Sequence, residues 1–138
     1  MKVLAMLLFG LSISPTAFGQ ESQGAQANAP AGEPVLVVDA GQCTADFVVR
    51  DASGKGVYDA RITLQAQYGF MGLRKLDLSV GTNAEGKARI EGLPEKIRKA
   101  ADFKIAQGGR EKSLPYDPVR QCYAQHEVVL SDPATRTN

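Results

Sequence analysis

The chain predicts an all-β fold, a single antiparallel-rich β-sandwich of about seven short strands. Three observations carry this expectation: apolar residues recur with period two over most of the chain, polar and glycine-rich turns interrupt them at short intervals, and helical spacing is nearly absent. The sandwich is expected over residues 35–132. A unit of about 100 residues is large enough for one hydrophobic core and too small for two.

Taken in order, Val35-Leu36-Val37-Val38 is a short apolar run suited to a leading strand. Cys43, Ala45, Phe47 and Val49 then alternate with Thr44, Asp46, Val48 and Arg50 up to a turn at residues 51–56. Ala60, Ile62, Leu64, Ala66 and Tyr68 alternate with Arg61, Thr63, Gln65 and Gln67, the pattern of a strand with one buried face. Leu76, Leu78 and Val80 continue it against Lys75, Asp77 and Ser79, followed by a turn at residues 83–86 and a short strand through Ala88 and Ile90. Pro94 followed by residues 95–101 has the composition of one short helix with proline near its start. Phe103 and Ile105 mark a further strand ending at Gly108-Gly109, and Cys122 to Leu130 forms the last.

Ahead of the sandwich, Met1-Lys2 and the apolar run from Val3 to Leu11 read as a charged n-region and an h-region. The run weakens at Ser12, Ser14 and Pro15, short of the roughly 18 residues a permanent span requires. Small residues at Ala17 and Gly19 place cleavage before Gln20, so residues 1–19 are expected to be a signal peptide. Residues 20–34 contain no large apolar side chain and are expected to form a disordered leader, with 133–138 as a disordered tail. Export makes a periplasmic or secreted location the expected one.

The whole chain carries 16 Lys and Arg against 15 Asp and Glu, and loss of Lys2 with the signal leaves the two signs balanced. Such a balance provides neither the clustered basic charge that drives nucleic-acid binding nor a polybasic membrane signal. The densest basic run, Lys96 to Lys99, lies beside Glu95 and Asp102 and reads as a solvated face. No nucleic-acid partner and no membrane insertion after signal cleavage are expected.

The stretch from Phe47 to Leu93 carries a resemblance. "FVVRDASGKGVYDARITL" places a strand, a polar glycine turn and a second strand in order, and "TNAEGKARIEGLP" supplies a turn, a strand and a Leu-Pro exit. These pieces resemble the carboxypeptidase regulatory-like modules, which share a transthyretin (prealbumin)-type, immunoglobulin-like sandwich. Gly54, Gly56 and Gly86 suit turns that need positive φ. After Pro94 the chain departs from the family's pattern, which continues directly into a Gly-x-Tyr strand. In sandwiches of this type the first and last strands lie side by side and run parallel, so the resemblance implies a Cys43–Cys122 disulfide. Each cysteine opens its strand with the parity of the apolar face, and two buried free thiols are the alternative.

For catalysis the residues offer little. The chain has one histidine and two cysteines without a CxxC, so no cofactor and no ordinary zinc or iron site is expected. Two enzyme families share the sandwich: intradiol ring-cleaving dioxygenases, with two Tyr and two His on iron, and hydroxyisourate hydrolases, with a C-terminal Tyr-Arg-Gly-Ser. This chain has only His126 and ends in Ala134 to Asn138, matching neither. On an extended strand Glu127 points away from His126, which reads as a half-buried structural residue. Residues 108–113 lack the GxxxxGK[ST] spacing of a phosphate loop.

One loop stands out. Gly69-Phe70-Met71-Gly72-Leu73 puts three large apolar residues where hairpin loops are normally polar. Phe70, Met71 and Leu73 either anchor a partner or fold back to cap the open end of the sandwich. With no Trp, a carbohydrate platform would rest on Tyr58, Tyr68, Tyr116 or Tyr123. The expectation is a non-catalytic exported module with a protein-interaction or structural role, its partner another envelope or extracellular protein. The alternative is a small secreted enzyme or enzyme inhibitor. Intact mass of the exported protein tests the export reading: the mature chain should begin at Gln20, and an uncleaved N-terminus would contradict it.

Overall fold

The computed structural model describes residues 32–132; the signal segment, the leader as far as residue 31 and the tail 133–138 lie outside the described residues. The eight strands are β1 (Val35–Val37), β2 (Cys43–Asp51), β3 (Arg61–Tyr68), β4 (Arg74–Gly81), β5 (Lys87–Leu93), β6 (Ala101–Gln107), β7 (Arg110–Tyr116) and β8 (Tyr123–Leu130). They form two four-stranded sheets, one ordered β1-β5-β2-β8 and the other β4-β3-β6-β7. The second sheet is antiparallel throughout, whereas the first contains two parallel pairs, β1 with β5 and β2 with β8. This is an immunoglobulin/prealbumin-like β-sandwich, with one strand more than expected.

Alternation along each strand builds the core. Cys43, Ala45, Phe47 and Val49 of β2 are buried, as are Ile62, Leu64 and Ala66 of β3, and Phe103 and Ile105 of β6. Phe47 and Phe103 meet across the two sheets edge to face with ring centroids 4.9 Å apart, and Phe103 packs on Tyr116 at 5.3 Å. Thr82, buried between strands, accepts the Ala60 N–H at 2.9 Å and donates to the Val57 carbonyl at 2.6 Å. That pair of bonds ties the entry of β3 to the exit of β4 and satisfies a hydroxyl that would otherwise be costly to bury.

The turn glycines act in two different ways. Gly86 has φ of +79°, and a Cβ there would lie 2.0 Å from the Val49 carbonyl oxygen, so both its conformation and its space exclude other residues. Gly56, also expected at positive φ, is instead needed for room alone: a Cβ there would lie 2.4 Å from the Glu85 backbone.

Cys43 and Cys122 form a disulfide, with Cα atoms 4.6 Å apart. The parallel register of β2 and β8 brings them together, and the Thr44 N–H donates to the Cys122 carbonyl at 2.8 Å beside the bridge. Closing a loop across a sequence separation of 79 contributes up to about 4.5 kcal/mol by constraint of the unfolded chain.

Two expectations are corrected after Pro94. The helix over residues 95–101 does not form. A helix starting there would need the Pro94 carbonyl for its own Arg98 N–H, but that carbonyl accepts the Tyr116 hydroxyl at 2.5 Å. The Arg98 N–H goes instead to the Gln67 carbonyl at 2.7 Å, and Ile97 bridges Tyr68 while packing against the core. Tertiary hydrogen bonds thus override helical composition. The second correction is β7, which follows the Gly108-Gly109 hairpin and was not expected as a strand. Its residues are mostly polar, as an edge strand permits, and Pro115 sits where no ladder donor is required.

Candidate functional site

The positions singled out in the sequence lie apart from one another in the fold. His126 lies on the inner side of β8 near the open edge, stacked on Phe47 with centroids 5.1 Å apart and tilted to Phe103 at 5.9 Å. Burial pushes its pKa below the ordinary value. Glu127 faces outward and pairs with Arg50 at 3.4 Å, and Ser113 shares the outer-face position of Lys104, so neither is brought to the imidazole. Among the described residues, no group of three or more His, Cys, Asp or Glu is placed to hold a metal ion.

The outer face of the first sheet is polar and internally matched. Arg89 donates from Nε and Nη2 to the two carboxylate oxygens of Asp46 at 2.6 and 3.2 Å. Of the four tyrosines, Tyr58 and Tyr123 are exposed, Tyr68 is half-buried, and Tyr116 is buried with its pKa pushed up, chiefly by burial.

At the β3–β4 connection the structure excludes one of the two alternatives, the cap. Phe70, Met71 and Leu73 are 84%, 62% and 78% exposed, so the loop projects and does not cap the core. A short 3-10 turn at Phe70–Gly72 shapes it, closed by the Gly72 N–H on the Gly69 carbonyl at 3.1 Å and the Leu73 N–H on the Phe70 carbonyl at 3.2 Å. Met71 adopts φ of +57°, a left-handed conformation uncommon for a side chain of this size, between Gly69 and Gly72 that are also left-handed. The apolar tip is therefore held in a set shape.

Two arginines bracket it. A Cβ at Gly69 would lie 3.3 Å from the Arg74 stem, and one at Gly72 would lie 2.9 Å from the Arg98 Cδ, so each aliphatic stem lies along a loop glycine. Arg98 belongs to the basic run read from sequence as a solvated face. The tertiary bond to Gln67 is what carries that run to the loop, and no signal in the sequence pattern marks it.

Beside the loop the second sheet is split. β3 pairs with β6 only from Arg61 to Thr63, and the far end of the split is closed by Ile97 and Arg98. The opening is a cleft of about 410 Å³ with Gln65, Gln67, Lys75 and Asp77 on one side and Lys99 and Ala100 on the other.

The chain matches no family model and no curated protein. Among solved structures it is similar to catechol 1,2-dioxygenase from Pseudomonas arvilla C-1, with a TM-score of 0.50 and 14% identity over 77% of this chain and 60% of that one. Chlorocatechol 1,2-dioxygenase from Pseudomonas putida aligns with a TM-score of 0.48 and 13% identity over 75% of this chain and 68% of that one. The C-terminal domain of the shaft pilin SpaA from Lactobacillus rhamnosus GG gives 0.43 and 9% over 67% and 98%. At such identities the first of these likenesses speaks to the sandwich fold alone. The chain spans 60% of the length of that dioxygenase.

The environment of His126 has a consequence for pH. Its folded pKa lies below the 6.5 of a free histidine, so the unfolded chain takes up the proton first. The contribution is fully present above pH 6.5 and is lost as pH falls toward the folded value. Urea midpoints measured at neutral and mildly acidic pH should fall more steeply for the wild-type protein than for His126→Gln. Equal slopes would contradict the lowered pKa of His126.

Proposed function

We propose that the chain is exported and matures into a non-catalytic β-sandwich module of the cell envelope or extracellular space, with an interaction or structural role exercised through the Gly69–Leu73 loop. The observation that carries this reading is the exposure of Phe70, Met71 and Leu73 on a preshaped turn. Large apolar side chains held in water on a fixed loop cost solvation, and anchors of this kind recover it by burial in a target. The disulfide supports an oxidising compartment, where such bridges persist. The strand-turn-strand pieces between Phe47 and Leu93 support placing the module with the carboxypeptidase regulatory-like domains.

Truncating the tip separates this role from a core role. Phe70→Ala and Leu73→Ala should leave the urea midpoint unchanged, whereas core Leu or Phe to Ala changes cost about 2–5 kcal/mol. A photo-crosslinker at position 71 in the exporting cell should capture an envelope component, and both truncations should abolish the capture. A large fall in midpoint, or capture indifferent to the truncations, would remove the loop from consideration.

A further inference from the structure

The cations around the loop lie in two separate stretches of sequence, and the fold gathers them. Arg74 and Lys75 open β4 directly after Leu73, while Lys96, Arg98 and Lys99 arrive on the segment that Ile97 and Arg98 fasten to the end of β3. All five are exposed, and among the described residues none makes an ion pair. The cations of the opposite sheet differ: Arg50, Lys87 and Arg89 each have a carboxylate partner. Of the two acids flanking the basic run, Glu95 is turned away, with its carboxylate against Gly41, and Asp102 is exposed on β6 opposite Pro115. The outcome is an apolar tip collared by positive charge on a chain with nearly balanced charge overall.

The cleft adds a second feature to the same face. Lys75 on one wall and Lys99 on the other flank the split between β3 and β6, with the amides of Gln65 and Gln67 between them and Asp77 as the one carboxylate in the lining. Two ammonium groups and two amide donors are the chemistry that receives a phosphate ester.

We propose that this face docks reversibly on an anionic phospholipid leaflet, with Phe70, Met71 and Leu73 entering the interface and a headgroup phosphate held between Lys75 and Lys99. The proposal rests on the reading of the loop as the contact element and names what it contacts. The occupant follows from shape and charge together. A projecting tip has no need of a complementary pocket in a fluid leaflet, and the apolar and cationic groups lie in the order that a bilayer presents its interior and its headgroups. Each cation near such a surface adds severalfold to partition, and the effect fades with salt. The sequence shows Lys96 to Lys99 only as a short basic run, and it is the fold that adds Arg74 and Lys75 to it.

Flotation of the mature, disulfide-bonded protein with vesicles tests it. The protein should float with mixed phosphatidylglycerol and phosphatidylcholine vesicles at low salt, and at least about tenfold less with phosphatidylcholine alone or at high salt. The pair Lys75→Glu and Lys99→Glu, and separately Phe70→Ser with Leu73→Ser, should each reduce flotation by about tenfold or more with unchanged urea midpoints. Since the chain contains no tryptophan, Phe70→Trp provides a fluorophore at the tip alone, and its emission should shift to the blue on the anionic vesicles. Inorganic phosphate at matched ionic strength should not displace the protein; displacement would assign the cleft to a free anion and overturn the proposal. No flotation, or flotation indifferent to lipid charge, would overturn it too. If position 71 still crosslinks to a protein in cells while vesicles are ignored, the loop remains a contact element and the lipid assignment alone falls.

Discussion

The parallel pairing of β2 with β8 is the constraint on which the rest of the molecule depends. β2 is hydrogen-bonded on both sides, to β5 and to β8, and its alternate residues supply the centre of the core. A parallel pair cannot be joined by a tight turn. Five of the eight strands, β3 to β7, therefore lie in the connection between these two strands, and the Cys43–Cys122 bridge fixes their register at one end of it. Phe47 sits opposite His126 in that register, and through Phe103 it couples the first sheet to the second.

The proposed contact face lies at the far end of the second sheet. β3 runs past its partner β6, and its last residues need hydrogen-bond acceptors and donors from elsewhere. The segment after Pro94 supplies them through Ile97 and Arg98, which is why it is extended and why its lysines and arginine reach the loop. The cleft is the space left where the two strands part. The same backbone economy that closes the sheet thus assembles the charged collar, and neither feature needs a dedicated structural element.

Much of this was legible in the sequence, for physical reasons that can be named. Period-two alternation located β2, β3, β4 and β8 because each has one face in the core, and the glycine turns marked their ends. The disulfide followed from the sandwich topology implied by the resemblance. Residues 95–101 misled because helical composition is a local preference, and the hydrogen bonds that defeat it come from Tyr116 and Gln67, distant in sequence. β7 was obscured by its edge position, where Glu111, Lys112 and Ser113 face water and no alternation is imposed. For the site, the apolar tip was visible as an anomaly in a hairpin, whereas its exposure and its cationic collar exist only in three dimensions.

The central claim is that loop 69–73 and segment 96–99 form one face that meets an anionic surface, while the matched polar face of the first sheet does not. Backbone amide chemical shifts of the isotope-labelled mature protein, followed as phosphatidylglycerol nanodiscs are added, test it most directly. The account predicts perturbations at Phe70 to Lys75 and Lys96 to Ala101 with β2, β5 and β8 unmoved. Perturbations centred instead on Asp46, Arg89 and Tyr123, or spread evenly through both sheets, would contradict it.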